Sequence, residues 1–226
     1  MPQLIPHPLQ LSFFDFETLP SFDLGALLFA PTSPLDFRIT DAHQVGTGSL
    51  TEKIRANLAA IRTLQTIEKT QRPPTPEEQA ALVRYTGWGA AAALFQPHPP
   101  PEFQRAATDL RALLTDDEYT SARATTPNAH YTSPDVIRGI WHALSRLGFT
   151  PGGQILEPAA GIGHFFGLMP DALVPGTRRT AVEIDSLSAR IARALYPASV
   201  IHHNPFEELA LPADFFDATI GNVPFG

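Results

Sequence analysis

Apolar residues spaced for helices fill the chain from about residue 49 to residue 127. Ser49 and Glu52 form a capping-box pattern at the start of the first helix. The apolar residues that follow it at helical spacing are Ile54, Leu58, Ile61 and Leu64. Two prolines after Arg72 end that helix, and Thr75 with Glu78 forms a second capping box around Pro76. The pattern predicts further helices at residues 76–85, 102–114 and 116–123.

From about residue 128 the pattern alternates between strands and helices. Ser133 before Pro134 predicts a capped helix start, and apolar spacing predicts one buried helix face. The residues of that face are Val136, Ile137, Ile140, Trp141, Leu144 and Leu147. Strands are predicted at 154–157, 180–184, 200–202 and 218–221, and helices at 164–168 and 187–195. With Ser186 capping the last helix, this βαβ alternation predicts an α/β fold with a parallel sheet.

The first 48 residues follow neither pattern. The first 37 contain six prolines and no Lys or Arg, yet they are rich in phenylalanine. Prolines oppose regular structure while aromatic rings favour burial, so this segment either drapes over a core or binds a partner. We therefore divide the chain into a proline- and aromatic-rich segment (1–48), a helical region (49–127) and a strand–helix region (128–226).

Composition narrows the function classes. Hydrophobic residues make up 43% of the 226 residues and charged residues 17%, which suffices for a buried core. There is no cysteine, no basic leader and no apolar stretch of membrane-spanning length, so we expect a soluble, cytoplasmic protein. None of the eight histidines shows metal-ligand spacing, so no metal site is predicted. A net charge of −7 disfavours contact with the phosphates of DNA, so we expect any DNA binding to come from another region or a partner.

A glycine-containing loop after the first strand is the first candidate for chemistry. The apolar strand ending at Glu157 leads into Gly161 and Gly163, which allow a tight turn and a close approach of the backbone to a ligand. Ligands of open α/β sheets bind beyond the carboxyl ends of the strands, where this loop lies. Its spacing differs from that of dinucleotide-binding loops, which disfavours a nicotinamide or flavin site.

Acidic residues end the second strand. Glu183 follows Gly163 by about twenty residues, the separation expected of a carboxylate that accepts hydrogen bonds from ribose hydroxyls. Asp185 is better explained as a negative charge at the start of the next helix.

Asn222 lies at the end of the fourth predicted strand, in the segment Gly221-Asn-Val-Pro-Phe225. Its side-chain oxygen and a neighbouring backbone carbonyl can accept hydrogen bonds from one amino group and orient its lone pair. The ring of Phe225 can stack on a base that has left its helix. In isolation a tight turn would be the better explanation of the segment, but its place after the glycine loop and Glu183 favours amine chemistry.

Together these motifs resemble those of Rossmann-like S-adenosylmethionine methyltransferases, in particular the amino-methyltransferases with an Asn-Pro-Pro-Tyr/Phe signature. Pro224 and Phe225 match that signature and Val223 departs from it. The resemblance implies a Rossmann-like methyltransferase sheet, here incomplete at about four strands, and S-adenosylmethionine as the cofactor. It implies a catalytic set of Asn222, Pro224 and Phe225. The cofactor-binding set that it implies is Tyr131, Thr132, Ser133, Glu157, Pro158, Ala159, Gly161, Gly163, Glu183, Ile184, Asn204 and Phe206.

Further segments, from Tyr85-Thr-Gly-Trp-Gly89 to the end of the chain, resemble the N-terminal part of very large plasmid- and phage-borne methyltransferase–helicase proteins. This resemblance covers residues 49–226 and implies a DNA adenine N6-methyltransferase module that works with a helicase region or subunit. Gln10-Leu-Ser-Phe-Phe14 resembles the peptide that docks replication proteins on the sliding clamp, a second possible partner.

Three alternatives stay open from the sequence. The chain stops directly after the catalytic motif, so we expect either a fragment or a sheet that another chain completes. A catalytically incomplete domain could instead serve as a binding or assembly module in anti-phage defence or DNA transfer. A third reading keeps the methyltransferase and changes the substrate to RNA or a protein.

Overall fold

A computed structural model describes residues 36–127 and 131–223 of the chain. The clamp-like peptide Gln10–Phe14 and the motif residues Pro224 and Phe225 lie outside the described residues, as does most of the predicted N-terminal segment.

The helical region contains the helices that the pattern predicted. They are α1 (Leu50–Thr70), α2 (Pro76–Leu82), α3 (Gln104–Leu113) and α4 (Asp116–Ala124). Reciprocal capping boxes start α1 at Ser49, α2 at Thr75 and α4 at Thr115. Helix α2 ends at Leu82 rather than Tyr85, because the chain turns at Val83 and carries the Tyr85 ring into the core. Short 3₁₀ helices connect these elements at Asp41–His43, Ala92–Phe95 and Pro101–Phe103.

The second half of the chain is an α/β sheet, as predicted. Its elements are α5 (Pro134–Arg146), β1 (Gln154–Pro158), α6 (His164–Gly167), β2 (Arg178–Glu183), α7 (Ser186–Leu195), β3 (Val200–His203) and β4 (Ala218–Thr219). Within the described residues the four strands pair in parallel in the order β3-β2-β1-β4. This is the order of a Rossmann-like sheet, so the predicted fold class is confirmed. The order reverses between β1 and β4, which opens a ligand-binding crevice at their carboxyl ends.

Of two predicted helix caps, the one at Ser186 is wrong and the one at Ser133 is confirmed in its position. Asp185, not Ser186, caps α7: its backbone is extended and its carboxylate accepts a hydrogen bond from the Ser188 amide. Ser133 stands at the cap position of α5, but its side chain makes no cap hydrogen bond. Pro134 fixes the first helical φ there, so the start of α5 needs no side-chain cap.

The buried face of α5 is narrower than predicted. Ile137 and Trp141 are fully buried, and the Trp141 indole donates a hydrogen bond to the Phe165 carbonyl at 2.9 Å. Val136 and Leu147 are exposed by 53% and 85%. Ile137 and Trp141 are four residues apart and so share one ridge of the helix, whereas Val136 lies off it and Leu147 follows the last helical residue.

The helical region and the sheet share one hydrophobic core. Helices α1, α2 and α4 contact α7, which itself covers β2 and β3. Ion pairs join the same helices at the surface, because Arg190 of α7 pairs with Glu68 of α1 and Glu118 of α4. The helical region is therefore positioned against the carboxyl end of β2.

Residues 36–39, which we call the anchor segment, fasten the start of the described chain to the sheet. The Phe37 amide donates to the Leu195 carbonyl at 2.8 Å, and the Ile39 amide donates to the Gly167 carbonyl at 2.9 Å. Asp36 forms an ion pair with Arg179 of β2 at 2.7 Å, and both side chains are almost fully buried. The anchor segment thus joins α6, α7 and β2.

No helix within the described ranges is long and apolar enough to cross a membrane.

Candidate functional site

A cavity of about 370 Å³ opens at the carboxyl ends of the strands, where the strand order reverses. Its wall on the sheet side is formed by Glu157, Ala159, Gly161, Glu183, Ile184 and Asn222. Its wall on the side of the helical region is formed by Tyr85, Gly87, Ser121, Ala124 and Thr125. The cavity is therefore enclosed by both halves of the chain, and its volume lies in the range of small-molecule sites.

The loop after β1 carries its amides close to the end of β2. The amides of Ala159 and Ala160 both donate to the Val182 carbonyl, at 2.9 and 3.0 Å. Ala159 has a φ of 92°, a region that residues with a side chain seldom occupy. Such a strained alanine persists only where its surroundings hold it, and here that position lines the cavity.

The two glycines of the loop allow close packing. At Gly161, with φ of 56°, an added Cβ would lie 3.1 Å from the Tyr131 hydroxyl. At Gly163, with φ of 81°, an added Cβ would lie 2.7 Å from the Tyr196 ring. Gly161 lines the cavity directly, whereas Gly163 holds the loop against α7 from behind.

Glu183 ties the loop to the end of β2. One carboxylate oxygen accepts a hydrogen bond from the Gly161 amide at 2.6 Å, and the other accepts from the Asp185 amide at 2.7 Å. Burial raises the pKa of Glu183 to about 7, although the backbone hydrogen bonds oppose that rise. The carboxylate lines the cavity and has further lone pairs for a ligand hydroxyl.

Glu157 is a buried acid at the end of β1. Its side chain is only 2% exposed, and its Oε2 atom has no hydrogen-bond partner among the described residues. Burial raises the pKa of Glu157 well above its usual range, and the nearby Glu183 raises it further. An unpartnered carboxyl that lines a cavity is suited to a ligand that brings hydrogen-bond donors or positive charge.

Asn222 lies at the rim of the same cavity, three residues after β4, the strand that pairs with β1. Gly221 before it packs against Glu157, because a Cβ added at Gly221 would lie 3.8 Å from the Glu157 Cγ atom. Pairing with β1 continues past β4, since the Ile220 amide donates to the Leu156 carbonyl at 2.9 Å. Pro224 and Phe225 are outside the described residues, so their roles stay predictions.

Tyr131 and Thr132 also line the cavity, whereas other predicted cofactor-binding residues do not. Ser133, Pro158 and Gly163 are not among the residues that line it. Asn204 has an exposed side chain, and its amide donates to the Glu183 carbonyl at 3.2 Å. Phe206 is 45% exposed. The cofactor contacts predicted for Asn204 and Phe206 remain predictions.

Several residues that line the cavity were not predicted from the sequence. Ser121 of α4 donates a hydrogen bond to Asp185 at 2.9 Å, which places α4 over the end of β2. Ala124 and Thr125 extend that wall, and no local pattern in a helix distinguishes them from surface residues. His164 was also missed, although it directly follows the glycine loop, and that position was the available signal.

No family model matches the chain. It is 41% identical over 99 residues to the "Defense against restriction protein B" of Escherichia phage P1, an alignment that covers 43% of this chain. The chain spans only 4% of the length of that phage protein.

Two solved structures are similar to the chain. One is a protein from Listeria monocytogenes assigned as a class I S-adenosylmethionine-dependent methyltransferase, with 13% identity, a TM-score of 0.41 and coverage of 78% of this chain and 60% of that one. The other is a type I restriction-modification system methyltransferase subunit from Streptococcus thermophilus, with 12% identity, a TM-score of 0.38 and coverage of 75% and 44%. The strand order and parallel pairing of this chain define its fold without them.

Proposed function

We propose that this chain binds S-adenosylmethionine and is part of a methyltransferase that acts on an exocyclic amine, adenine N6 in DNA. One observation carries the proposal. Glu157, Gly161, Glu183 and Asn222 come from three strand ends and the glycine loop, and all of them line one cavity. At these positions the sequence motifs predict contacts with a cofactor and with the target amine.

The cavity suits the cofactor at each of its parts. The unpartnered carboxyl of Glu157 fits the ammonium group of the methionine portion, and Glu183 fits the ribose hydroxyls. Ile184 is 63% exposed at the cavity wall and offers an apolar surface for the adenine. When bound, S-adenosylmethionine supplies a methyl group activated by its positively charged sulfur.

Asn222 would act by holding the target amine. Its side-chain oxygen accepts a hydrogen bond from the amino group and directs the nitrogen lone pair into the cavity. No base need remove a proton before the transfer, because the amine attacks with its lone pair and loses its proton afterwards. Catalysis would then rest on proximity and orientation.

The partners of the module follow from its charge and its resemblances. A net charge of −7 is unsuited to holding a phosphate backbone, so DNA would be gripped by a region or chain beyond these residues. A helicase region or subunit, and a sliding clamp docked through Gln10–Phe14, belong to this proposal as partners.

A second candidate is a catalytically incomplete domain that binds the cofactor and serves in assembly. One observation favours it: β4 pairs with β1 on one side, and no strand of the described ranges pairs with its other side. The motif that carries Asn222 therefore follows an edge strand that pairs with β1 through only two residues.

The proposal is tested by incubating the chain, together with the region or partner that holds the substrate, with S-adenosylmethionine labelled in its methyl group and with DNA, RNA or protein substrates in separate reactions. We expect label in DNA adenine. Label in RNA or protein alone would keep the methyltransferase and change its substrate. Cofactor binding without transfer to any substrate would favour the second candidate, and absence of binding by calorimetry would reject both.

Cofactor binding should strengthen as the pH rises through the raised pKa of Glu157. In the free chain, burial raises that pKa, which favours the protonated carboxyl. A bound ammonium group favours the ionised carboxylate and lowers that pKa, so binding releases a proton. Calorimetry in two buffers of different ionisation enthalpy measures the release. Glu157→Gln should release fewer protons than the wild type, and an unchanged number would contradict this role.

A further inference from the structure

His164 has two ring nitrogens with different surroundings. The ring is 4% exposed and lies at the start of α6, directly after the glycine loop. Its Nε2 atom donates a hydrogen bond to the Val83 carbonyl at 3.1 Å. Because a carbonyl can only accept, Nε2 carries the proton of the neutral ring, and Nδ1 is left with a lone pair.

Nδ1 has no hydrogen-bond partner among residues 36–127 and 131–223. Burial lowers the pKa of His164 to about 4, so the ring is neutral near pH 7 and the lone pair is available. The edge-on Tyr131 ring, with centroids 5.1 Å apart, covers part of the imidazole. A buried acceptor without a partner is costly, which indicates that something absent from the chain itself completes it.

His164 lines the same cavity as Glu157, whose Oε2 atom is also buried and unpartnered. Two hydrogen-bond acceptors without partners, one of them a carboxyl oxygen, favour a ligand group that has several hydrogen-bond donors and a positive charge. A primary ammonium group has three N–H donors and one charge, so it brings enough donors for both acceptors. A hydroxyl has a single donor and can satisfy only one.

We infer that His164 accepts a hydrogen bond, through Nδ1, from the primary ammonium group of the ligand that also contacts Glu157. This inference rests on the proposed function and adds a second binding residue to its cofactor site. The Val83 carbonyl, at the end of α2, sets the tautomer that makes Nδ1 an acceptor. The helical region thereby takes part in recognising the amino-acid end of the cofactor.

Two substitutions separate the roles of the two nitrogens. His164→Gln places an amide near the Nε2 position, where it can still donate to Val83, and leaves no acceptor at the Nδ1 position. His164→Asn places an amide near the Nδ1 position, where its oxygen can accept, and gives up the bond to Val83. Asn is one methylene shorter than Gln, so each variant is compared with itself on two ligands, and the ratio of its two dissociation constants reports on hydrogen bonding.

The experiment measures dissociation constants of S-adenosylhomocysteine and of its desamino analogue by calorimetry, for wild type, His164→Gln and His164→Asn. We expect His164→Gln to bind S-adenosylhomocysteine about tenfold more weakly while its affinity for the desamino analogue stays unchanged. For His164→Asn the ratio of the two dissociation constants should stay within about threefold of the wild-type ratio, because its oxygen still accepts at the Nδ1 position. In wild-type chain labelled with ¹⁵N-histidine, the Nδ1 resonance of His164 should shift with S-adenosylhomocysteine and not with the analogue.

Equal weakening of both ligands in His164→Gln, or no weakening, would overturn the inference while leaving the proposed function intact. An Nδ1 resonance that responds equally to the two ligands would overturn it without relying on any variant. If the wild type binds neither ligand, the proposed function fails and the inference fails with it.

Discussion

Replacing Asn222 by alanine is expected to lower methyl transfer about 100-fold or more while S-adenosylmethionine still binds with nearly wild-type affinity. The reason is that the asparagine oxygen would orient the amine, and misplacing a reacting group by about an ångström can reduce a rate by that factor. The cofactor is expected to contact Glu157, Glu183 and the glycine loop, which the substitution leaves in place. Transfer of labelled methyl groups and calorimetric binding, measured on the same preparations, check the two halves of the prediction.

Thr219→Ala is a matched control for Asn222→Ala. Thr219 lies on β4, its side chain is exposed, and it is not part of the cavity wall. It should transfer methyl groups at a rate within about threefold of the wild type, because it contacts no reacting group. Equal transfer by Asn222→Ala and the wild type would refute the role of Asn222. Loss of cofactor binding in Asn222→Ala would mean that the side chain holds the cofactor instead of the amine.

Replacing Asp36 by alanine should lower the free energy of unfolding by about 3–5 kcal/mol, because it leaves the buried guanidinium of Arg179 without its counter-charge. Both side chains are less than 5% exposed. The Nε and Nη1 atoms of Arg179 already have no hydrogen-bond partner in the described parts of the chain. Asp36 also accepts hydrogen bonds from the Ala198 amide and the Ser199 hydroxyl, and these would be lost as well. Urea unfolding followed by the fluorescence of the buried Trp88 and Trp141 measures the change.

Two further variants separate charge from packing at this site. Asp41→Ala removes an aspartate that is 90% exposed and pairs with Arg138, and it should change stability little, because surface ion pairs contribute little. The double variant Asp36→Leu with Arg179→Met replaces the buried pair by apolar side chains and should recover most of the lost stability. A double variant as unstable as Asp36→Ala would show that the loss comes from the anchor segment's packing rather than from an unpaired charge.

Helix starts could be predicted from the sequence because their signals are local. Ser49 and Thr75 carry their capping partners three residues away, so both helix starts were predicted correctly. The prediction that Ser186 caps α7 was wrong, because Asp185 and Ser186 are both of residue types that cap helices well. Which of the two is the cap depends on which has an extended backbone. The exposed Val136 and Leu147 show the same limit, since apolar spacing does not say how wide the packed face of a helix is.

The sheet side of the cavity could be predicted for a different reason. Parallel strands bring their carboxyl ends to one edge, so Glu157, Glu183 and Asn222 had to lie near each other once the strands were recognised. The opposite wall depends on contacts between residues far apart in the chain, such as Ser121 with Asp185. Nothing in the sequence near Ser121 marks it, because its role exists only after α4 has docked on α7.

Two hydrogen bonds join the helical region to the sheet, one from His164 to Val83 and one from Ser121 to Asp185. The two regions therefore form one structural unit. A polypeptide cut at residue 128 would keep each motif from which the cofactor loop, the ribose acid and the amine site were predicted. It would nevertheless lose Tyr85, Gly87, Ser121, Ala124 and Thr125, and with them the cavity wall on the side of the helical region. A segment transferred to another protein with this cavity intact would therefore have to include the helical region as well as the sheet.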